Sequence, residues 1–289
     1  MAEPCNLSDP DLAHRAIGSL LTGGSDTLRS SSQSPQLDAE LLLAFVTGRS
    51  RAALRAHPEQ TLEPELIARY RQLLARRARG EPLAYLTGER EFWSLSLAVT
   101  PDVLVPRPET ELAVERCLAL LPHAAASVAD LGTGSGAIAL ALARERPNWR
   151  IYATDCSQAA LQVAQGNAAR LKLANIEFVA GSWLEPLQGR SFDLIVSNPP
   201  YVAAGDPALA QLRYEPAIAL SPGVTGLEHL THILEASRKH LRHGGALVLE
   251  HGNAQAADVA RALVSAGYAR VRCYADLGGH DRVTEARWP

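Results

Sequence analysis

Cysteine is scarce in this chain. Four are spread over 289 residues, at Cys5, Cys117, Cys156 and Cys273. None forms a CxxC pair, which argues against a zinc site or a redox dithiol, so no metal centre is expected. Isolated thiols suit a reducing compartment. Charge of either sign is not in excess: the formal net charge is −3, so bulk attraction to nucleic acid is not expected. Met1–Asp9 lacks a basic-then-apolar leader pattern. The chain also lacks an apolar run of transmembrane length, an internal repeat and a low-complexity tract. These absences predict a cytoplasmic protein that keeps off membranes and binds no nucleic acid stably; a monomer is assumed. What is present is a globular composition, 47% hydrophobic and 20% charged, on a chain long enough for two domains.

The first 88 residues read as a small helical bundle. Asp9-Pro10 starts a helix that runs through Leu20 and Leu21 and stops at Gly23-Gly24. Pro35 opens a second, with Leu37, Leu41, Leu42 and Phe45 on one side and Gly48 beyond its end. A third runs from Ser50 to about Ala56, and a fourth from about Glu63 to Arg79, with apolar residues at helical spacing. The fourth carries Arg69, Arg71, Arg76, Arg77 and Arg79 without an intervening acid. A solvated helix face is the reading favoured for them over a docking surface for acidic protein or RNA.

Residues 89–108 form a different stretch. Glu91–Val99 alternates polar and apolar residues, as a hairpin does. Thr100–Pro108 holds three prolines and reads as an extended linker. Residues 109–289 then make a third region. Glu109–Leu121 is helical, and Glu109 and Thr110 at its start are expected to cap it, with a place bordering a bound cofactor as the alternative. From Ser127 short apolar strands alternate with helices, seven strands in all, which predicts an α/β domain with a mostly parallel sheet covered on both faces. The last two strands have no helix between them, so one of them is expected to run antiparallel.

Two loops carry chemistry. Gly132, Thr133, Gly134, Ser135 and Gly136 follow the first sheet strand. Glycines there allow positive φ and let a ligand touch the backbone, and the helix start offers free N–H groups. Asp155 ends the next strand, where an acid grips the hydroxyls of a ribose. These features alone fit a nicotinamide cofactor as well as S-adenosylmethionine.

The second loop, Asn198-Pro199-Pro200-Tyr201, separates the two. Two prolines stiffen the backbone and remove two donors. The Asn198 oxygen and the Pro199 carbonyl remain as rigid acceptors, matched to the two hydrogens of a planar NH2 group. Tyr201 offers a flat face for stacking. Such a loop presents a delocalised nitrogen to an electrophilic methyl, a task that a nicotinamide-dependent oxidoreductase would not give it. An exocyclic amine of adenine or guanine would also fit, provided the base were flipped out. That reading calls for a basic groove that the overall charge does not suggest.

Together with Asp155, these loops resemble class I, Rossmann-like amino-methyltransferases. Further segments narrow the resemblance: Arg90–Trp93, Val99–Pro101, Val105–Glu111, Glu250-His251-Gly252 and Asp276–Arg282, behind a helical N-terminal region. Over nearly its whole length the chain is similar to the PrmC/HemK family of release factor glutamine methyltransferases. That resemblance implies methyl transfer from S-adenosylmethionine to the N5 of the glutamine in the Gly-Gly-Gln motif of peptide-chain release factors, leaving S-adenosylhomocysteine. It also implies cofactor binding by Gly132–Gly136, Asp155, Trp183 and Asn198, with Trp183 walling the adenine. The Asn198–Tyr201 loop is implied to hold and activate the substrate glutamine, and the helical domain to give the release factor a second contact surface. A relative often carries an aromatic just after Glu-His-Gly, where this chain has Asn253.

Overall fold

The protein is described from a computed structural model covering residues 15–121 and 125–289. It divides into two compact units, with the boundary between Gly88 and Glu89.

In the helical unit, helices span Ile17–Leu28, Pro35–Thr47, Arg51–Ala56, Pro64–Ala78 and Leu83–Thr87. Ile17, Leu20, Leu42, Leu43, Leu54, Tyr70 and Leu74 make its core. The expected start of the first helix at Asp9-Pro10 lies outside the described residues. Its expected stop is corrected: the helix continues through Gly23-Gly24 to Leu28. Gly24 is there for packing, since a Cβ would stand 2.1 Å from the Tyr70 hydroxyl, and that hydroxyl donates to the Leu20 carbonyl at 3.4 Å. Glycine is thus tolerated mid-helix where another helix must come close. The helix Leu83–Thr87 is an addition to the sequence reading. The arginine stretch is largely consumed inside this unit. Arg77 pairs with the buried Asp38 at 2.8 Å, Arg76 pairs with Glu81, and Arg69 stands over the Phe45 ring.

The second unit opens with strands β1 (Glu89–Phe92) and β2 (Leu95–Ala98), an antiparallel hairpin. Trp93 and Ser94 make its two-residue turn, both at positive φ (51° and 56°). This is the turn geometry that matches strand twist, here built without glycine or asparagine. After the helix Glu111–Leu120 come β3 (Ser127–Leu131), β4 (Arg150–Asp155), β5 (Ile176–Ala180), β6 (Phe192–Ser197), β7 (Leu241–Glu250), β8 (Ala269–Ala275) and β9 (Asp281–Arg287). They form one seven-stranded sheet in the order β5-β4-β3-β6-β7-β9-β8. β9 is antiparallel to both its neighbours, as expected of one of the last two strands.

The alternation of each strand divides the core between the two faces. Val128, Leu194, Val196, Ala246 and Val248 pack with the helix Ala137–Glu145. Ala129, Leu131, Ile195, Leu247 and Leu249 pack with the helices Glu228–Ser237 and Ala256–Ser265. β7 begins at Leu241, earlier than the apolar run from Ala246 suggests, and carries an irregularity opposite Phe192–Leu194. The helix Gln158–Leu171 covers β4 and β5. No helix among the described residues is long and apolar enough to cross a membrane.

Candidate active site

The carboxyl ends of β3, β4 and β6 open into a cavity of about 360 Å³. In a doubly wound sheet this edge is where ligands bind, because strands end there and loops diverge. Gly132, Thr133, Gly134, Ser135, Asp155, Trp183, Asn198 and Pro200 all line it. Gly136, Pro199 and Tyr201 do not.

The glycine loop is folded by its own backbone. Gly132, Gly134 and Gly136 have φ of 72°, 56° and 86°. Gly132 and Thr133 both donate N–H to the Thr154 carbonyl at 2.9 Å, and Gly136 donates to Thr133 at 2.8 Å. A Cβ on Gly132 would meet the Trp183 ring at 3.0 Å, whereas one on Gly134 would meet nothing within 4 Å. Gly132 therefore lets the tryptophan close in, and Gly134 keeps the backbone open to a ligand. Gly136 serves packing, against Leu140 and Ala164.

Asp155 is held before any ligand arrives: Gly134 N–H donates to one oxygen at 2.9 Å and Ser157 N–H to the other at 2.8 Å. Ser157 also caps the following helix by accepting from Ala160 N–H. Trp183 sits at positive φ (49°), with its carbonyl taking the Thr154 hydroxyl at 2.9 Å. Its ring meets the His229 ring at 5.0 Å between centroids. Asp130 lies beneath the loop. One of its oxygens takes Thr133 Oγ1 at 2.7 Å and Ala139 N–H at 3.1 Å; the other is buried without a partner. Burial, with the Asp155 charge nearby, pushes its carboxyl up to about 7.

Asn198 leaves the end of β6 and donates from Nδ2 to Thr110 Oγ1 at 3.1 Å. One Nδ2 hydrogen is thus engaged, and Oδ1 takes no hydrogen bond among the described residues, which leaves it open to a ligand. Thr110 does not cap its helix, contrary to the expectation for it; its side chain is buried and turned to the cavity. Pro199 is buried and Pro200 half-buried. Tyr201 is partly buried against the Leu247 and Leu249 side of the core. Its hydroxyl points to Glu250 Oε1 at 3.4 Å, and burial, with the Glu250 charge, raises it well above the usual phenol range. Gln255 Nε2 donates to the Tyr201 carbonyl at 3.0 Å, which holds the loop's far end.

Several residues at the site escape sequence reasoning. Asn167, fully buried, takes Ala98 N–H at 2.7 Å and donates to the Ala98 and Ser135 carbonyls, both at 3.0 Å. It ties the hairpin to the glycine loop. Glu215, buried, takes Val105 N–H at 3.1 Å and pairs with Arg107. Since Arg107 and Pro216 both line the cavity, this contact joins the proline linker to the segment that follows Tyr201. His229 lines the cavity beside Trp183. An isolated asparagine, glutamate or histidine carries no such signal in the chain; only the family segment containing Arg107 marked part of this neighbourhood.

A family model described as the PrmC N-terminal domain matches residues 19–88, and one described as a methyltransferase small domain matches residues 110–214. A release factor glutamine methyltransferase of Escherichia coli K12 is 48% identical over 259 residues, 89% of this chain and 94% of that protein. One from Aliivibrio fischeri is 43% identical across 98% of both chains. In fold, a methyltransferase from Pyrococcus furiosus aligns with a TM-score of 0.52 at 21% identity, covering 75% of this chain and 97% of that one.

Proposed function

The chain belongs to the release factor glutamine methyltransferase family, and from that premise we propose that it methylates the N5 side-chain nitrogen of the glutamine in the Gly-Gly-Gln motif of peptide-chain release factors. The observation that carries this reading is the engaged amide of Asn198, whose oxygen is left to the cavity shared by the glycine loop and Asp155.

The residues fit S-adenosylmethionine as the methyl donor. Asp130 keeps a buried oxygen without a partner at the cavity, a site for a cationic ammonium group. Gly134 has open space where a side chain would stand, so a carboxylate or ribose can reach the backbone. Asp155 would hold the ribose and Trp183 would border the adenine. When bound, S-adenosylmethionine supplies a methyl carbon made electrophilic by its sulfonium charge.

The chain's own work is on the glutamine. An amide nitrogen is a weak nucleophile because its lone pair is delocalised into the carbonyl. Acceptance of its two hydrogens by Asn198 Oδ1 and the Pro199 carbonyl raises electron density on it and fixes its direction of approach. The same acceptors stabilise positive charge as it develops on the nitrogen, before a proton is shed to water. Pro199 and Pro200 contribute stiffness, so the acceptors are already in place. Tyr201 serves as an anchor of the loop, with its hydroxyl on Glu250. The helical unit gives the release factor its second contact surface, since one glutamine offers too little area for specific recognition.

The experiment is incubation of purified release factor with the protein and labelled S-adenosylmethionine, followed by mass spectrometry of the Gly-Gly-Gln peptide. One added methyl on the glutamine side chain is expected. Transfer to RNA or DNA with an unmodified release factor would overturn the reading.

A further inference from the structure

Proline stiffens the Asn198–Tyr201 loop and also disarms it. Pro199 and Pro200 carry no N–H, so neither can brace the loop by backbone donation. Support has to come from outside. Asn198 is tied to Thr110 at 3.1 Å, and the Tyr201 hydroxyl to Glu250 at 3.4 Å, each through a side chain of the loop. A third tie grips the backbone itself: Gln255 Nε2 donates to the Tyr201 carbonyl at 3.0 Å.

Gln255 lies in the single helical turn Asn253–Gln255, between β7 and the helix Ala256–Ser265. Its Oε1 accepts Gly252 N–H at 2.8 Å. The amide thus bridges a group that can only donate and a group that can only accept, so its orientation is fixed. Gly226 keeps the room for this meeting. It is buried, with φ of 79°, and a Cβ there would stand 2.4 Å from the Tyr201 oxygen and 2.8 Å from Gln255 Nε2.

One of the two Gln255 bonds has an ordinary use. Oε1 on Gly252 closes the start of a helical turn, a task that glutamate performs as well as glutamine. The bond to Tyr201 needs an amide, since a carboxylate has no hydrogen to offer. The Tyr201 carbonyl stands two residues beyond that of Pro199, with little slack between them. The Pro200 ring fixes φ at its own position and narrows ψ at Pro199 before it. We propose that Gln255 is a positioning residue that, by gripping the Tyr201 carbonyl, sets where the Pro199 carbonyl meets the substrate amide. The proposal rests on the methyl-acceptor reading above.

The test compares Gln255→Glu with Gln255→Leu in the full chain. Glutamate keeps the bond to Gly252 and withdraws the one to Tyr201; leucine loses both. Single-turnover methylation at saturating release factor should slow by ~10- to 100-fold in both, the effect of a misplaced reacting group. KM for release factor should change little, because one glutamine is a small part of the contact. Melting should be unchanged in Gln255→Glu, where the cap survives. A further measurement follows the bond without substrate. Tyr201-Val202 is the only Tyr-Val pair in the chain, so isotope labels on tyrosine carbonyl carbon and valine nitrogen give one coupled NMR signal, which should shift in both variants. The proposal is overturned if Gln255→Glu methylates at the wild-type rate, or if that signal stays in place. Should the wild type leave release factor unmethylated, the functional reading itself falls, and the positioning role with it.

Discussion

The two sides of the cavity are built in different ways. On the glycine-loop side, backbone bonds from Gly132, Thr133 and Gly136 fold the loop. Ser197 Oγ holds the Leu131 carbonyl from below at 2.7 Å, and Asn167 braces Ser135. On the opposite side, the chain from Tyr201 to Gly226 contains only short helical turns. It leaves Ile218 61% and Val224 79% exposed. Its ties to the rest of the unit include single side chains, Glu215 on Arg107 and Val105 and Gln255 on Tyr201. A wall of backbone bonds tolerates change at most side chains. A wall hung on side chains can be altered one residue at a time, which suits a surface that must meet a protein loop.

Three substitutions would break or sharpen this contrast. The largest effect is expected from Asn198→Ala. It should lower kcat for release factor methylation by ~100- to 1000-fold, a far larger loss than the weakening of S-adenosylhomocysteine binding that calorimetry returns. Lost cofactor binding would mean that the two sides are not separate in function. Next is Asn167→Leu, which strands Ala98 N–H and the Ala98 and Ser135 carbonyls. With each unsatisfied buried group costing about 1–3 kcal/mol, partly relieved by solvent, a loss of ~3 kcal/mol in denaturant unfolding is expected. Weakened cofactor binding should accompany it. Glu215→Ala should do least, raising KM for release factor by ~10-fold, or about 1.4 kcal/mol, with little change in melting temperature. A fall in global stability as large as that of Asn167→Leu would show that the second wall is part of the core.

Much of the sheet was legible because its interior strands are short apolar runs punctuated by glycine, and such runs have few other uses. The glycine loop, Asp155 and Asn198 were legible for a related reason: their chemistry is local, set by neighbours in the chain. Trp93-Ser94 was not, because the turn uses positive φ without the residues that advertise it. Gly24 misled for the opposite reason. A glycine ends helices often, but here its missing side chain makes room for Tyr70, 46 positions on and invisible to a local pattern. Asn167, Glu215 and Thr110 were out of reach in the same way. Asn167 works on Ala98, 69 residues away, Glu215 on Val105, 110 residues away, and Thr110 on Asn198, 88 residues away. For Thr110 the familiar local role, the helix cap, was favoured over the place beside the cofactor that the cavity gives it, and its partner Asn198 was not foreseen.

The Asn167 brace has a consequence for dissection of the molecule. One end of it rests on Ala98, at the close of the β1–β2 hairpin, so the small antiparallel ribbon belongs to the ligand pocket's foundations as much as any strand of the large sheet. A fragment trimmed to begin at residue 110, where the methyltransferase match starts, would discard that footing along with Arg107. A fragment beginning at Glu89 would carry both, and is the shorter piece of chain in which an intact pocket is to be sought.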